Sequence, residues 1–250
     1  MKKKTICITG ASSGIGKAAA QLFAQKGHRL ILCGRRQNRL EELKTNLNTP
    51  IHLLNFDVRD RSAVFEAVAT LPKEWKEIDV LINNAGNAHG LDPVETANLD
   101  DWDAMIDGNV KGLMYVTKAF LPQMVERKEG QIINLGSIAG IEVYPKGNVY
   151  CASKFAVDAF TQGLRIDLNP YGIRVCAVHP GLVETEFSMV RFKGDEQRSE
   201  SVYNTLNALQ AEDVANAIAY MVEAPPHVTI ADLTLLPTDQ ANATVINRKK

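Results

Sequence analysis

Short apolar runs recur along this chain, and an amphipathic stretch separates each run from the next. The runs cover residues 5–9, 29–33, 51–56, 80–83, 131–135, 174–178 and 233–236. Between them, residues 15–26, 40–46, 61–69, 102–127, 150–168 and 212–222 carry helical periodicity. A strand that is apolar throughout must be buried on both faces, which points to a parallel sheet covered by helices. Right-handed crossovers then wind the chain outward in both directions from a central strand. The expectation is an α/β chain with a doubly wound parallel sheet of about seven strands, helices on both faces and one domain over residues 1–250. In such a sheet ligands bind beyond the carboxyl ends of the strands. Nearly every unusual cluster in this sequence falls there.

Composition removes several alternatives. Hydrophobic residues make up 45% of the 250 and charged ones 23%, which supplies a large core and argues against disorder. The formal net charge of -1 gives no global basic field, so neither nucleic acid nor an acidic membrane is expected as partner. Lys2–Lys4 and Arg248–Lys250 read as solvated basic ends. Cys7, Cys33, Cys151 and Cys176 lack metal-binding spacing, so reduced thiols and no metal are expected. The N-terminus lacks a signal-peptide core, and no apolar run reaches the ~18 residues of a membrane helix, so a soluble cytoplasmic protein is expected.

The first run leads into Thr9-Gly10-Ala11-Ser12-Ser13-Gly14-Ile15-Gly16 and then a helix. Glycines there permit a tight turn, close backbone approach to a pyrophosphate and close helix–strand packing, while the helix N-terminus presents free N–H groups. A strand, a glycine-rich turn and a helix in that order favour a Rossmann-type dinucleotide site over a purely structural turn. The spacing Gly10-x-x-x-Gly14-x-Gly16 differs from the usual Gly-x-Gly-x-x-Gly. After the second run an NAD site would place an acid for the ribose hydroxyls, but here stand Arg35 and Arg36. Two guanidinium groups suit a 2′-phosphate, which favours NADP(H); two solvated arginines opening a helix are the plain alternative. Asp57 and Val58 follow the third run, where an acid could accept from the adenine amino group or simply cap a helix.

Asn83-Asn84-Ala85-Gly86 closes the fourth run and Ser137 follows the fifth. Tyr150 and Lys154 stand one helical turn apart, and Pro180-Gly181, Val183 and Thr185 follow the sixth run. In this order and approximate spacing the motifs resemble the short-chain dehydrogenase/reductases over essentially the whole chain. That resemblance implies Tyr150 as catalytic acid/base and Ser137 as the group orienting the substrate oxygen. It implies that Lys154 holds the nicotinamide ribose and lowers the Tyr150 pKa, and that Asn109 anchors a proton-relay water. An ordinary polar helix residue is the alternative for Asn109, and Gly108 beside it hints at a local irregularity. Gly10, Ser12, Ser13, Gly14, Ile15, Gly16, Arg35, Arg36, Asp57, Val58, Asn84, Ala85, Gly86, Tyr150, Lys154, Pro180, Gly181, Val183 and Thr185 become the expected NADP(H) residues.

A narrower resemblance rests on Gly34-Arg35-Arg36, Leu71-Pro72-x-x-Trp75, Gly147-Asn148-Val149-Tyr150 and the run from Glu186 to Gly194. These stretches are similar to the NADP-dependent 3-hydroxy acid dehydrogenases, which act on serine, L-allo-threonine or malonic semialdehyde. Glu184 falls in a segment where some members carry paired glycines. The resemblance implies a small hydroxy acid or oxo acid substrate, a substrate loop over about 181–210, and Ser137, Tyr150 and Arg191 as substrate-binding residues. Arg191 and Lys193 could face a substrate carboxylate or be surface charges on a lid. A reductase of bulkier ketones or 3-oxoacyl thioesters, and a silent NADP-binding regulator, are the alternative functions. The family also implies a homotetramer built on helices 110–127 and 150–168.

Overall fold

The computed structural model describes residues 3–248, so Lys2, Lys249 and Lys250 of the basic ends lie outside the described residues. Seven parallel strands form the central sheet. β1 (Thr5–Thr9), β2 (Arg29–Gly34) and β3 (Ile51–Asn55) run outward on one side. β4 (Val80–Asn83), β5 (Gly130–Leu135), β6 (Ile173–Pro180) and later β9 (Asp232–Leu235) run outward on the other. The resulting order is β3-β2-β1-β4-β5-β6-β9. The direction of winding reverses between β1 and β4, and a crevice opens beyond their carboxyl ends.

The strands read as continuous apolar runs because each faces a helical layer on both sides. Ile6 and Ile8 of β1 pack with Leu30 and Leu32 of β2 against α1 (Gly14–Gln25). The alternate residues Cys7, Ile31 and Cys33 point into the other layer. There they meet Val116 and Phe120 of α5 (Leu113–Arg127) and Leu164 of α6 (Asn148–Leu168). α2 (Gln37–Asn46) and α9 (Ala211–Glu223) join the first layer, and α3 (Arg61–Ala69) the second. Helix starts follow local chemistry: Asp60 accepts from Ala63 N at α3, and Gln210 and Asp213 form a capping box at α9.

The long helical stretch around 102–127 is three segments. α4 (Leu99–Met105) passes into a π-helical segment, Ile106–Gly112, and that into α5. Close approach to the loop after β3 accompanies the widened turn. A Cβ on Gly112 would lie 2.7 Å from Val58 Cγ2. The irregularity hinted at by Gly108 is therefore real, and Gly112 carries its packing reason.

The stretch following β6 holds structure that the sequence pattern missed. β7 (Val183–Glu184) pairs with β8 (Leu209–Gln210), and α7 (Phe187–Arg191) and α8 (Glu196–Tyr203) lie between them. The tail folds back on its own chain: Gln240 Oε1 accepts from Leu182 N at 2.8 Å, and Ala243 N donates to Glu142 at 2.9 Å.

Candidate active site

A cleft of 870 Å³ lies beyond the carboxyl ends of the strands, lined at one end by the glycine-rich turn and at the other by Tyr150. Gly10 and Gly14 hold positive φ values of 66° and 49°. A Cβ on Gly16 would sit 2.4 Å from Gly10 O, which only glycine tolerates. Asn84 lines the cleft and also clamps this turn, donating to Thr9 O at 2.9 Å and Gly10 O at 3.3 Å. Thr185 closes the turn from the far side, its Cβ 3.3 Å from the position of a Cβ on Gly14. Ser12, Ser13, Ile15, Ala85, Gly86, Pro180, Gly181 and Val183 all line the same cleft, as expected.

The two arginines after β2 separate in role. Arg36 turns inward, bonding Ser12 Oγ from Nη2 at 3.1 Å and Ser13 Oγ at 2.6 Å. Arg35 stays largely exposed, 3.6 Å from the Asp57 carboxylate. Asp57 is also gripped by Arg59 at 2.7 Å. Partial burial works to raise the Asp57 pKa, but the bonds to Arg59 hold it below the usual carboxylate range. Asp57 and Val58 both stand on the cleft wall, with the Asp57 carboxylate held there by Arg59. Two hydroxyls, a guanidinium and a helix start together fit a phosphorylated ribose.

Tyr150, Lys154 and Ser137 converge at the opposite end. Ser137 follows β5, and its Oγ accepts from Ala139 N at 3.1 Å. Lys154 reaches under the sheet end to donate to Leu135 O at 2.8 Å, with Nζ 5.9 Å from the centre of the Tyr150 ring. Burial pushes the ammonium down to about 8. The same burial pushes the Tyr150 phenol well above its ordinary value, with Tyr144 adding to the rise and Ser137 opposing it. Loss of water therefore outweighs the charges that act on the phenol within the protein itself.

Asn109 lies in the π-helical segment, with Nδ2 donating to Asn87 O at 2.8 Å and to Ser153 Oγ at 3.0 Å. Its Oδ1 accepts from Asn87 N at 2.8 Å. Both ends of the amide are engaged in joining the loop after β4 to α6. Ser153, which sequence reasoning left without a role, completes that joint by donating to Tyr150 O at 2.7 Å.

Arg191 points into the cleft. Nε donates to Gly90 O at 2.9 Å and Nη1 to Tyr144 Oη at 3.1 Å, leaving its guanidinium carbon 5.7 Å from the centre of the Tyr150 ring. Lys193 turns to the surface and pairs with Asp101 at 3.0 Å. Of the two cations in this loop, Arg191 is the one that faces the reacting end.

Residues 4–196 match the short chain dehydrogenase family. The chain belongs to that family. Among its relatives, the NADP-dependent 3-hydroxy acid dehydrogenase YdfG of Escherichia coli (strain K12) is 47% identical over 239 residues, covering 95% of this chain and 96% of the relative. The serine 3-dehydrogenase of Rhizobium radiobacter is 43% identical over 239 residues, covering 96% of each. A solved closed form of serine dehydrogenase complexed with NADP+ superposes with a TM-score of 0.94 at 46% identity, over 98% of this chain and 100% of that one. The fold expected from sequence, a seven-stranded Rossmann-type parallel sheet with helices on both faces, is the fold of this short-chain dehydrogenase.

Four further side chains stand at or behind the site without a role read from sequence. Tyr144 holds Arg191, and Glu186 bridges Arg36 and Arg39. His179, wholly buried, sets Nδ1 3.4 Å from Ser137 O. It has Asp158 and Asp232 each 3.7 Å from Nε2, while Arg165 already pairs with Asp232 at 3.2 Å. Tyr144 and His179 had a signal in their closeness to Tyr150 and Pro180 along the chain. The pairing of Glu186 with Arg39 had none, since 147 positions separate them.

Proposed function

We propose that this short-chain dehydrogenase moves a hydride between NADP(H) and C3 of small 3-hydroxy acids, with serine, L-allo-threonine and 3-hydroxypropionate as the substrate class. The observation that carries this reading is Arg191, a guanidinium held by Gly90 O and Tyr144 Oη in front of Tyr150. A 3-hydroxy acid places its carboxylate two carbons from the reacting carbon, so one cation beside the catalytic phenol suits it. The relatives named for 3-hydroxy acids and serine support the same class.

When bound, NADP(H) supplies or accepts the hydride. Gly10, Gly14 and Gly16 leave room for its pyrophosphate at the start of α1, and Arg36 with Ser12 and Ser13 supplies the donors for a 2′-phosphate. In the oxidative direction Tyr150 Oη takes the proton of the substrate hydroxyl; in reduction it returns that proton. Ser137 Oγ holds the substrate oxygen for this exchange, and Arg191 fixes the carboxylate so that C3 faces the hydride position. Lys154, with its pKa near neutrality, exchanges the proton onward. A relay past Asn109 runs by its backbone carbonyl in the π-helical segment, because its side-chain amide is engaged.

Residues 1–250 act as one domain in this reading, with the substrate loop at 181–210. The assembly is a homotetramer in the cytoplasm. Phe155 and Ile166 on the outer side of α6 are 41% and 74% exposed, which gives that helix an apolar face for a second copy. Among the described residues no helix is long and apolar enough to cross a membrane.

A steady-state panel tests the assignment: serine, L-allo-threonine and 3-hydroxypropionate, each with NADP+ and NAD+, against a neutral alcohol and a 3-oxoacyl thioester. Turnover of the hydroxy acids with NADP+ is the expected result. Brisk thioester reduction with no hydroxy acid turnover replaces this reading with the bulkier-ketone reductase.

A further inference from the structure

The donors suited to a 2′-phosphate already hold an anion. Arg36 Nη1 donates to Glu186 Oε2 at 2.9 Å, while the rest of its guanidinium rests on Ser12 and Ser13. Arg39 Nη1 donates to the other oxygen, Oε1, at 2.6 Å. One carboxylate therefore takes an N–H from each of two guanidinium groups, the way a phosphate dianion engages paired arginines. Glu186 comes from a remote part of the chain, immediately ahead of α7. Its other contribution to the site is indirect, because α7 ends at Arg191, which faces Tyr150.

We propose that Glu186 is a specificity-tuning residue that competes with the cofactor's 2′-phosphate for Arg36 and Arg39. The inference rests on the NADP(H) reading above. Three charges explain the competition. A phosphate monoester carries more negative charge than a carboxylate, so it wins the arginines, but it must displace or approach a like charge to do so. A dinucleotide with a bare 2′-hydroxyl meets no such conflict, since it needs neither arginine. Glu186 thus narrows the NADP(H)-over-NAD(H) preference that Arg36 and Arg39 alone would give. Partial burial works to raise the Glu186 pKa, yet its bonds to Arg36 and Arg39 hold it below the usual carboxylate range, so the competing charge is present at neutral pH. All three side chains are about two-fifths exposed or more, at 40%, 41% and 46%, so the effect is moderate and screened by salt.

The test uses two probes that differ only in the 2′-phosphate: adenosine 2′,5′-bisphosphate and adenosine 5′-monophosphate. Both are titrated calorimetrically into wild type and Glu186→Gln at low and high salt. The variant is expected to bind the bisphosphate about tenfold more tightly, with the monophosphate unchanged within about twofold and the gain shrinking in salt. An unchanged or weakened bisphosphate affinity overturns the proposal and makes Glu186 a support for the arginines. Weakened monophosphate binding also overturns it, since Glu186 would then grip the ribose hydroxyls. A wild type that shows no preference between the probes instead sinks the NADP(H) reading itself, which keeps the two failures apart.

Discussion

Replacing Lys154 by methionine should make the protein more stable and inactive at once. Lys154 is 7% exposed, and burial lowers its pKa from 10.5 to about 8. That gap corresponds to about 3 kcal/mol of folding free energy at neutral pH. The sign follows from proton binding. Below pH 8 both folded and unfolded chains carry the proton, and the folded state bears the whole desolvation cost. Between pH 8 and 10.5 the unfolded chain holds more proton than the folded one, so the stability tied to this group rises with pH. Methionine has a similar unbranched length and no charge, so it removes the cost. It also leaves Leu135 O without the 2.8 Å donor it has now, a loss of about 1 kcal/mol. The net expectation at pH 7 is a gain of about 2 kcal/mol, or about 4–8 °C in Tm for a chain of this size. At pH 10.5 the gain should have vanished or turned into a small loss. Denaturant melts of wild type and Lys154→Met, at equal protein concentration and at both pH values, read this as a difference in which other titrating groups cancel. A variant less stable than wild type at pH 7, or a gain that stays constant with pH, refutes the reasoning. Its turnover should fall to background, a case of stability given up for function.

Tyr150→Phe should lower kcat by about 10³-fold while NADPH binding stays within about twofold, measured by single-turnover kinetics and nucleotide fluorescence; appreciable turnover would remove the phenol from proton transfer. Arg191→Ala should raise KM for a 3-hydroxy acid by about 10–100-fold and for a neutral alcohol by less than about threefold, and equal effects on both would return Arg191 to a structural role. Gly16→Ala should abolish dinucleotide binding and lower Tm, because its Cβ would lie 2.4 Å from Gly10 O and 2.5 Å from Asn84 Nδ2. A variant with normal titration and melting would show that the turn yields where the packing says it cannot.

The layered architecture was readable because burial on both faces leaves a plain mark in sequence. Ile6, Cys7 and Ile8 are all 0% exposed, and a strand that meets water on neither side has no polar alternation to obscure it. Element ends shifted by one to three residues, as at α2, which begins at Gln37 rather than at 40. The short elements between Val183 and Gln210 were not readable. α7 spans 5 residues and β7 and β8 span 2 each, too few for a periodicity to emerge. Their order comes from contacts distant in sequence, such as Tyr203 Oη on Val183 O at 3.0 Å and Gln240 on Leu182.

The site divided along the same line. Gly16, Tyr150 and Lys154 could be singled out because each answers to a local requirement: a glycine in a cramped turn, or two side chains one helical turn apart. What the sequence could not state was which contacts each of two neighbouring like residues makes. Arg35 and Arg36 are equivalent on paper, yet only Arg36 meets Ser12 and Ser13, since successive residues leaving a strand point in different directions. Arg191 and Lys193 are equally balanced in sequence; Tyr144 and Gly90 O hold Arg191 in the cleft, while Lys193 pairs with Asp101. The net direction of the Tyr150 shift was not readable for a different reason. Spacing predicts proximity, but the sign of a pKa shift depends on how much water remains. With Tyr150 buried, the loss of hydration outweighs the lowering effects of Ser137 and Arg191. Any further positive charge placed beside Tyr150 would act in the direction Arg191 already does, lowering the phenol's pKa against the effect of burial.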